Sequence, residues 1–137
     1  MRGKLIKVLT GMIAVILLLA LVTGCGGDEE TPEAPGEPEY AGAATEVILQ
    51  GLSEKDLEKY TRYGNPDFKA AVTQEILDNA AALIEDQYGA YKSIEFLSVE
   101  EQEGYTHVHY KATYENGKIG VRMVFDSEHM VAGQWFE

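Results

Sequence analysis

Cys25 is the only cysteine in this chain of 137 residues, and its thiol is the most reactive group in the sequence. Thiols act as redox centres, metal ligands, disulfide partners or attachment points for lipid. A disulfide within the chain needs a second cysteine, and a metal site needs His or Cys residues nearby. The sequence supplies neither beside Cys25. Neither a disulfide within the chain nor a metal site is therefore expected at Cys25.

The 24 residues that precede Cys25 have the pattern of a secretory leader. Its basic side chains are those of Arg2, Lys4 and Lys7. The apolar run over residues 8–22 is shorter than a comfortable transmembrane helix, which favours a cleaved leader over an uncleaved signal anchor. The leader ends in VTGC, which resembles the bacterial lipobox. That resemblance implies a signal peptide at residues 1–24 and a diacylglycerol anchor, with fatty acids such as palmitate, on Cys25.

A second group of reactive side chains alternates along strands predicted near the C-terminus. It comprises His107, His109, Lys111 and Arg122. Alternate residues of a strand share one face, so this group predicts a basic stripe that docks an anion or a partner's carboxylate. In the alternative interpretation, Lys111 and Arg122 extend into water or pair with acids such as Glu95. Two His residues at this spacing can also share a metal ion, but no third ligand lies close, so no metal site is expected.

Tyrosines supply the polar groups of the predicted interior. The candidates for lining a pocket between helices and sheet are Tyr60, Tyr63, Tyr110 and Tyr114. Buried tyrosine hydroxyls usually find a hydrogen-bond partner, and the space between helices and sheet is a common place for a ligand. Two interpretations stay open at this point: the hydroxyls are hydrogen-bonded within a filled core, or they line a pocket.

Helical periodicity covers the first half of the domain. Gly51 predicts a helix stop, Ser53 with Asp56 a new start, and Thr73 and Gly89 the limits of a long helix. The apolar stripe at helical spacing consists of Phe68, Val72, Ile76, Ala80, Leu83 and Tyr88.

After residue 91 the apolar period becomes two, which predicts four strands. Asn116-Gly117 is a strong hairpin signal, because a two-residue turn favours positive φ at both positions. This turn pairs Glu115 with Lys118 and, by counting, Lys111 with Arg122. The inner pairs are Tyr114 with Ile119, Ala112 with Val121, Tyr110 with Met123 and Val108 with Phe125. Helices that pack on a four-stranded antiparallel meander make an α+β fold.

The length of the last turn decides the position of Trp135. A turn of two or four residues near Ser127 and Glu128 places the indole outside, opposite Gly120 and near Arg122. A turn of three residues places it inside.

Residues 25–39 contain no large apolar side chain. Such a segment cannot offset its ordering entropy by burial, so we predict a disordered acidic linker. The leader holds three of the 11 Lys and Arg residues and no acid, so its removal leaves eight basic and 23 acidic residues, a net charge of −15 instead of −12. This charge argues against nucleic acid as a partner. Residues 40–137 suffice for one small domain.

From about Ala41 to Phe136, the order of elements around GLSEKDLEKY, YGAYKSIEF and THVHYKATYENGKIGVRMVF resembles a domain of unknown function. That domain is found on bacterial lipoproteins and ahead of some secreted hydrolases. It is similar to the nuclear-transport-factor-two-like, or cystatin-like, cone. The resemblance implies helices wrapped by a curved sheet and a cell-envelope setting, and it brings no catalytic residues.

The expected function is that of a non-enzymatic ligand- or protein-binding or sensing domain, anchored by lipid at the extracytoplasmic face of the cell membrane, with no cofactor. One alternative is a small cone-fold enzyme that combines a pocket tyrosine with a carboxylate base from a helix, such as Asp67, Asp78 or Glu85. The other alternative is a structural module that forms a homodimer through the sheet. The sequence contains no Ser-x-x-Lys, Gly-x-Ser-x-Gly or phosphate-loop motif.

Overall fold

Helices come first and strands second in a computed structural model of the protein, which describes residues 33–137. Cys25, the leader and the first part of the linker lie outside the described residues. The helices are α1 (Ala41–Glu54), α2 (Leu57–Thr61), α3 (Pro66–Ala71) and α4 (Gln74–Tyr88). The strands are β1 (Tyr91–Gln102), β2 (Tyr105–Tyr114), β3 (Gly117–Phe125) and β4 (Val131–Phe136). They form one antiparallel sheet in the order β1-β2-β3-β4, which confirms the predicted α+β class and the meander.

Side-chain caps begin the last three helices. Asp56, Asn65 and Thr73 each accept a hydrogen bond from the backbone N–H three residues later. Such caps satisfy N–H groups that have no partner within the helix. The predicted start at Thr73 and stop at Gly89 are therefore confirmed, whereas the predicted start at Ser53 is wrong.

Gly51 lies inside α1 instead of ending it. Its lack of a side chain makes room for the backbone of α2, which packs against α1 at this point. A Cβ atom on residue 51 would lie 2.5 Å from the backbone nitrogen of Tyr60 and 2.9 Å from its Cα. The glycine therefore permits a close approach of two backbones. The left-handed residue that ends α1 is Lys55, with φ 58°.

The buried face of α4 differs from the prediction. Leu77 and Ala81 are buried against the core, whereas Ile76 and Leu83 of the predicted stripe are exposed. Helix α4 packs on α1, and Leu77 and Ala81 belong to the core cluster of the domain. Residues 76, 80 and 83 repeat at the same helical spacing as residues 77, 81 and 84. Periodicity alone therefore does not distinguish which of the two faces of the helix is buried.

The β2–β3 hairpin keeps the predicted faces but has a different register. Tyr114 pairs with Gly117, so the turn consists of Glu115 and Asn116 and every pair is displaced by two residues. The backbone N–H groups of Glu115 and Asn116 donate to the carbonyls of Ala90 and Tyr88, at 3.0 and 2.9 Å. These contacts dock the turn on the end of α4 and outweigh the local preference of Asn-Gly. A displacement by two leaves each side chain on its face.

Candidate functional site

A groove crosses the outer face of the sheet, which is the face turned away from the helices. Its lining includes Glu103, Tyr105, His107, Arg122, Val124 and Trp135. We call it the outer-face groove. It encloses about 380 Å³, within the range of ~300–1,000 Å³ that is typical of small-molecule pockets.

Trp135 lies on the outer face of the sheet, as in one of the two predicted alternatives. It pairs with Arg122, not with Gly120 as that alternative placed it. The loop between β3 and β4 has five residues, an odd number, and a bulge at Val124/Phe125 adds the residue that returns the indole to the outer face. The benzene ring of the indole lies where a side chain of Gly133 would project, so residue 133 must be small. Trp135 is 46 % exposed, and its ring forms one side of the groove.

Arg122 lies between the indole and a carboxylate. Its guanidinium carbon is 4.9 Å from the centre of the Trp135 ring, a cation–π distance. Its Nε atom is 3.1 Å from Oε1 of Glu137, an ion pair without the alignment of a hydrogen bond. The guanidinium is thus oriented from two sides, and its charge is balanced locally.

The predicted basic stripe is only partly assembled. Its four residues share the outer face, but Lys111 pairs with Gly120 on β3, so the predicted pairing of Lys111 with Arg122 is wrong. On its other side Lys111 lies opposite Glu95 in the β1–β2 register, and its side chain is exposed to water. The nitrogens of His109 lie 3.5 Å from Glu100 and 3.4 Å from Glu137. Carboxylates therefore lie close to His109 and Arg122 of the stripe.

His107 faces the groove between Glu100 of β1 and Val124 of β3. Its Nδ1 atom is buried and has no hydrogen-bond partner among residues 33–137. The hydroxyls of Tyr91 and Tyr114 and the amide nitrogen of Gln134 are likewise buried without a partner within the described residues. Within the same residues, no three His, Cys, Asp or Glu side chains group as metal ligands.

The tyrosines of the predicted pocket are distributed differently. Tyr60, Tyr110 and Tyr114 are buried in the core, whereas Tyr63 is exposed, which corrects its predicted place in the interior. The hydroxyl of Tyr60 donates to Gln134 at 2.9 Å, and that of Tyr110 donates to Glu37 at 2.8 Å. A cavity beside Tyr114 measures about 10 Å³, at most the space of one water molecule. These tyrosines fill the core around a cavity too small for a metabolite.

Burial raises the pKa of several phenols. It raises the pKa of Tyr60 to about 12, and burial together with the charge of Glu46 raises that of Tyr91 to about 12. The pKa of Tyr114 is raised mainly by burial, and that of Tyr110 by burial and by its hydrogen bond to Glu37. Removing solvent from a phenolate disfavours the charged form, so these hydroxyls stay protonated. Those of Tyr60 and Tyr110 act as donors, whereas those of Tyr91 and Tyr114 are buried without a partner within the described residues.

The end of the linker packs on the inner side of the sheet. Tyr40 stacks on His129 with ring centres 4.1 Å apart, and its edge meets Phe125 at 5.1 Å. Phe125 is fully buried in the core, and so is Tyr110, which donates to Glu37. The chain therefore enters the domain on the face of the sheet that is opposite to the outer-face groove.

The carboxylates considered for an enzyme lie elsewhere. Asp67, Asp78 and Glu85 are exposed on the helices, and Glu85 is 3.5 Å from the ammonium of Lys55. Helices long and apolar enough to cross a membrane are absent from residues 33–137.

Sequence reasoning missed Tyr105 as a site residue. It lies two residues before His107 and therefore on the same face of β2, so extending the alternation by one step would have found it. It is 43 % exposed at the rim of the groove.

Comparison with known proteins places the chain in a family. No curated protein matches it. Among solved structures, the NMR structure of a protein from Ruminococcus gnavus ATCC 29149 is 19 % identical with a TM-score of 0.48, and the match covers 72 % of this chain and 94 % of that one. Residues 45–133, more than half of the chain, match the family described as protein of unknown function, DUF3887. The chain therefore belongs to the DUF3887 family of proteins of unknown function.

Proposed function

We propose that this protein is a non-enzymatic binding module, held by a lipid on Cys25 at the extracytoplasmic face of the membrane, which binds its ligand in the outer-face groove. The observation that carries the binding role is the groove itself, where the exposed side chains of Trp135 and Tyr105 line one space. The membrane attachment is supported by the leader and the VTGC sequence.

The energetics of the two faces of the sheet support a binding role for the outer one. The inner face packs into the core, with Val108, Met123 and Phe125 fully buried. On the outer face, Trp135 and Tyr105 keep much of their apolar area in water, although burying an aromatic side chain is worth about 2–3 kcal/mol. Folding leaves this apolar area in water, whereas a ligand in the groove would bury it.

The proposed anchor places the groove in a defined setting. Diacylglycerol supplies two acyl chains, which is what stable membrane attachment requires. The chain enters the domain through Glu37 and Tyr40, which contact Tyr110 and Phe125 of the core, so the anchor would keep the whole domain near the membrane. A ligand of the groove would accordingly come from the extracytoplasmic space near the membrane.

Exchange of Cys25 for serine tests the anchor. A hydroxyl forms no thioether with diacylglycerol, so we expect Cys25→Ser to lose labelling by a clickable palmitate analogue and to keep the leader. The measurements are in-gel fluorescence of the label and the intact mass of the membrane-extracted protein. Thr23→Ser, which keeps a small residue before the cysteine, is the matched control and should label normally. Labelling of the Cys25→Ser protein would refute the anchor.

Native mass spectrometry tests binding in the groove. We expect the full chain, extracted in mild detergent, to carry a non-covalent adduct that is lost in Trp135→Ala, because the indole forms a side of the groove. Leu83→Ala removes another exposed apolar side chain outside the groove and should retain the adduct. Spectra without any adduct, or an adduct retained in Trp135→Ala, would contradict binding at this surface.

A further inference from the structure

We infer that the outer-face groove binds a neutral oligosaccharide. This inference rests on the proposed binding function and adds the chemical class of the ligand. Charge, aromatic exposure and polar side chains in the groove each restrict that class.

Charge excludes a strongly anionic ligand. The one cationic side chain of the groove apart from histidine is Arg122, which Glu137 neutralises at 3.1 Å. Glu103 adds a carboxylate at the rim, on a chain whose net charge is −12. A phosphate or carboxylate would have to displace Glu137 and approach against this acidic field.

Charge also disfavours a cationic ligand at the indole. The guanidinium of Arg122 already lies 4.9 Å from the centre of the Trp135 ring. A second cation on the same ring would be repelled by the first, and the attraction of the ring for cations is already used. A neutral ligand meets neither penalty.

Two aromatic side chains provide apolar contact surfaces. Trp135 and Tyr105 line the groove, each with more than two fifths of its surface exposed. Val124 lies between them on the sheet. The C–H groups on one face of a pyranose ring are apolar and weakly positive, which suits the negative face of an aromatic ring.

Polar groups in the groove require a ligand with hydroxyls. Gln102, Glu103 and His107 line the groove with polar side chains, so a purely apolar ligand would remove water from them without replacing its hydrogen bonds. The amide of Gln102 and the carboxylate of Glu103 at the rim offer further donors and acceptors. Sugars combine an apolar ring face with hydroxyls around its edge, which is the combination that this groove presents.

Tryptophan fluorescence can report on binding in the groove. Trp135 is the only tryptophan of the chain, so all of the tryptophan emission comes from a side chain that a ligand in the groove would contact. The experiment titrates the full chain in detergent micelles with three neutral trisaccharides: N-acetylchitotriose, cellotriose and maltotriose. Inorganic phosphate, trigalacturonic acid and a proline-rich peptide serve as probes of other chemistry.

We expect a saturable emission change with at least one neutral trisaccharide, with half-saturation on the order of 10 μM or below, the affinity at which an adduct is retained through extraction, and none with phosphate or trigalacturonic acid. Tyr105→Ala should weaken this binding by about fivefold to tenfold, because one stacking surface is lost. Tyr63→Ala, which removes an exposed tyrosine outside the groove, should bind as the wild type does.

The possible failures are distinguishable. If all three neutral sugars are silent while the peptide or an anion changes the emission, the sugar class is overturned and the groove remains a binding surface. If no probe responds and native spectra carry no adduct, both the sugar class and the proposed function are wrong. Sugar binding that Tyr105→Ala leaves unchanged would overturn the placement of the sugar in this groove.

Discussion

Replacing Leu77 with alanine should lower the free energy of unfolding by about 2–5 kcal/mol, the range of buried leucine truncations. The Leu77 side chain is 1 % exposed in the core. Its removal loses the transfer free energy of the missing methyl and methylene groups and leaves a cavity that packed neighbours fill only partly. The measurement is equilibrium urea unfolding followed by circular dichroism. A loss of this size is a large part of the ~5–15 kcal/mol that stabilises a typical domain.

Leu83→Ala is the matched control on the same helix. Leu83 is 63 % exposed, so its truncation should change stability by no more than about 0.5 kcal/mol. The pair of variants distinguishes the observed face of α4 from the face that the apolar stripe predicted. Equal losses in the two variants, or a larger loss in Leu83→Ala, would show that α4 is rotated relative to the structure.

Raising the pH from about 10 to about 12 should destabilise the folded domain progressively. Burial raises the pKa of Tyr60 to about 12, against about 10 for a solvated phenol in the unfolded chain. The folded state therefore holds the phenolic proton more tightly, so stability is constant below about pH 10 and falls between about pH 10 and 12. Each unit of pKa difference corresponds to about 1.4 kcal/mol, so Tyr60 alone contributes a loss of about 2–3 kcal/mol.

Two measurements follow this alkaline effect. Phenolate absorbance should show a late phase that coincides with unfolding, and urea midpoints should fall as the pH rises. Tyr60→Phe cannot ionise at this position, so its stability should depend less on pH above about 10. The variant also loses the hydrogen bond to Gln134, so it starts from a lower stability. An unchanged pH dependence in Tyr60→Phe, or titration of every phenol near pH 10, would contradict this account.

The core and the groove divide the aromatic residues by role. Tyr60 and Tyr110 donate to Gln134 and Glu37, so their polar ends are satisfied within the protein. Trp135 and Tyr105 face the groove instead and remain half open to solvent. This division is why the proposed binding site lies on the outer face of the sheet and not in the interior.

Local signals in the sequence were sufficient for much of the fold. Thr73 and Gly89 limit the long helix because capping by a side-chain oxygen and the freedom of glycine depend only on nearby backbone. The faces of β2 and β3 follow from alternation, since a side chain changes face only when the register moves by an odd number of residues. Both properties depend on residues a few positions apart.

The candidate site was only partly predictable. His107 and Arg122 were identified from their alternation along the strands, and both line the groove. Trp135 remained undecided because its side depends on a five-residue loop combined with a bulge, and a bulge has no clear local signal. The partners of Arg122 depend on register, which a contact between the hairpin turn and α4 sets.

The α+β class, the order of the elements and the faces of the central strands follow from the sequence alone. Tertiary contacts are needed to establish which face of α4 is buried, how β2 and β3 are paired, and that Trp135 and His107 line one groove. The difference lies in the range of the interactions. Caps and alternation act between neighbours in the chain, whereas the contact of Glu115 with Ala90 and the β3–β4 pairing with its bulge at Val124 join segments that are distant in sequence.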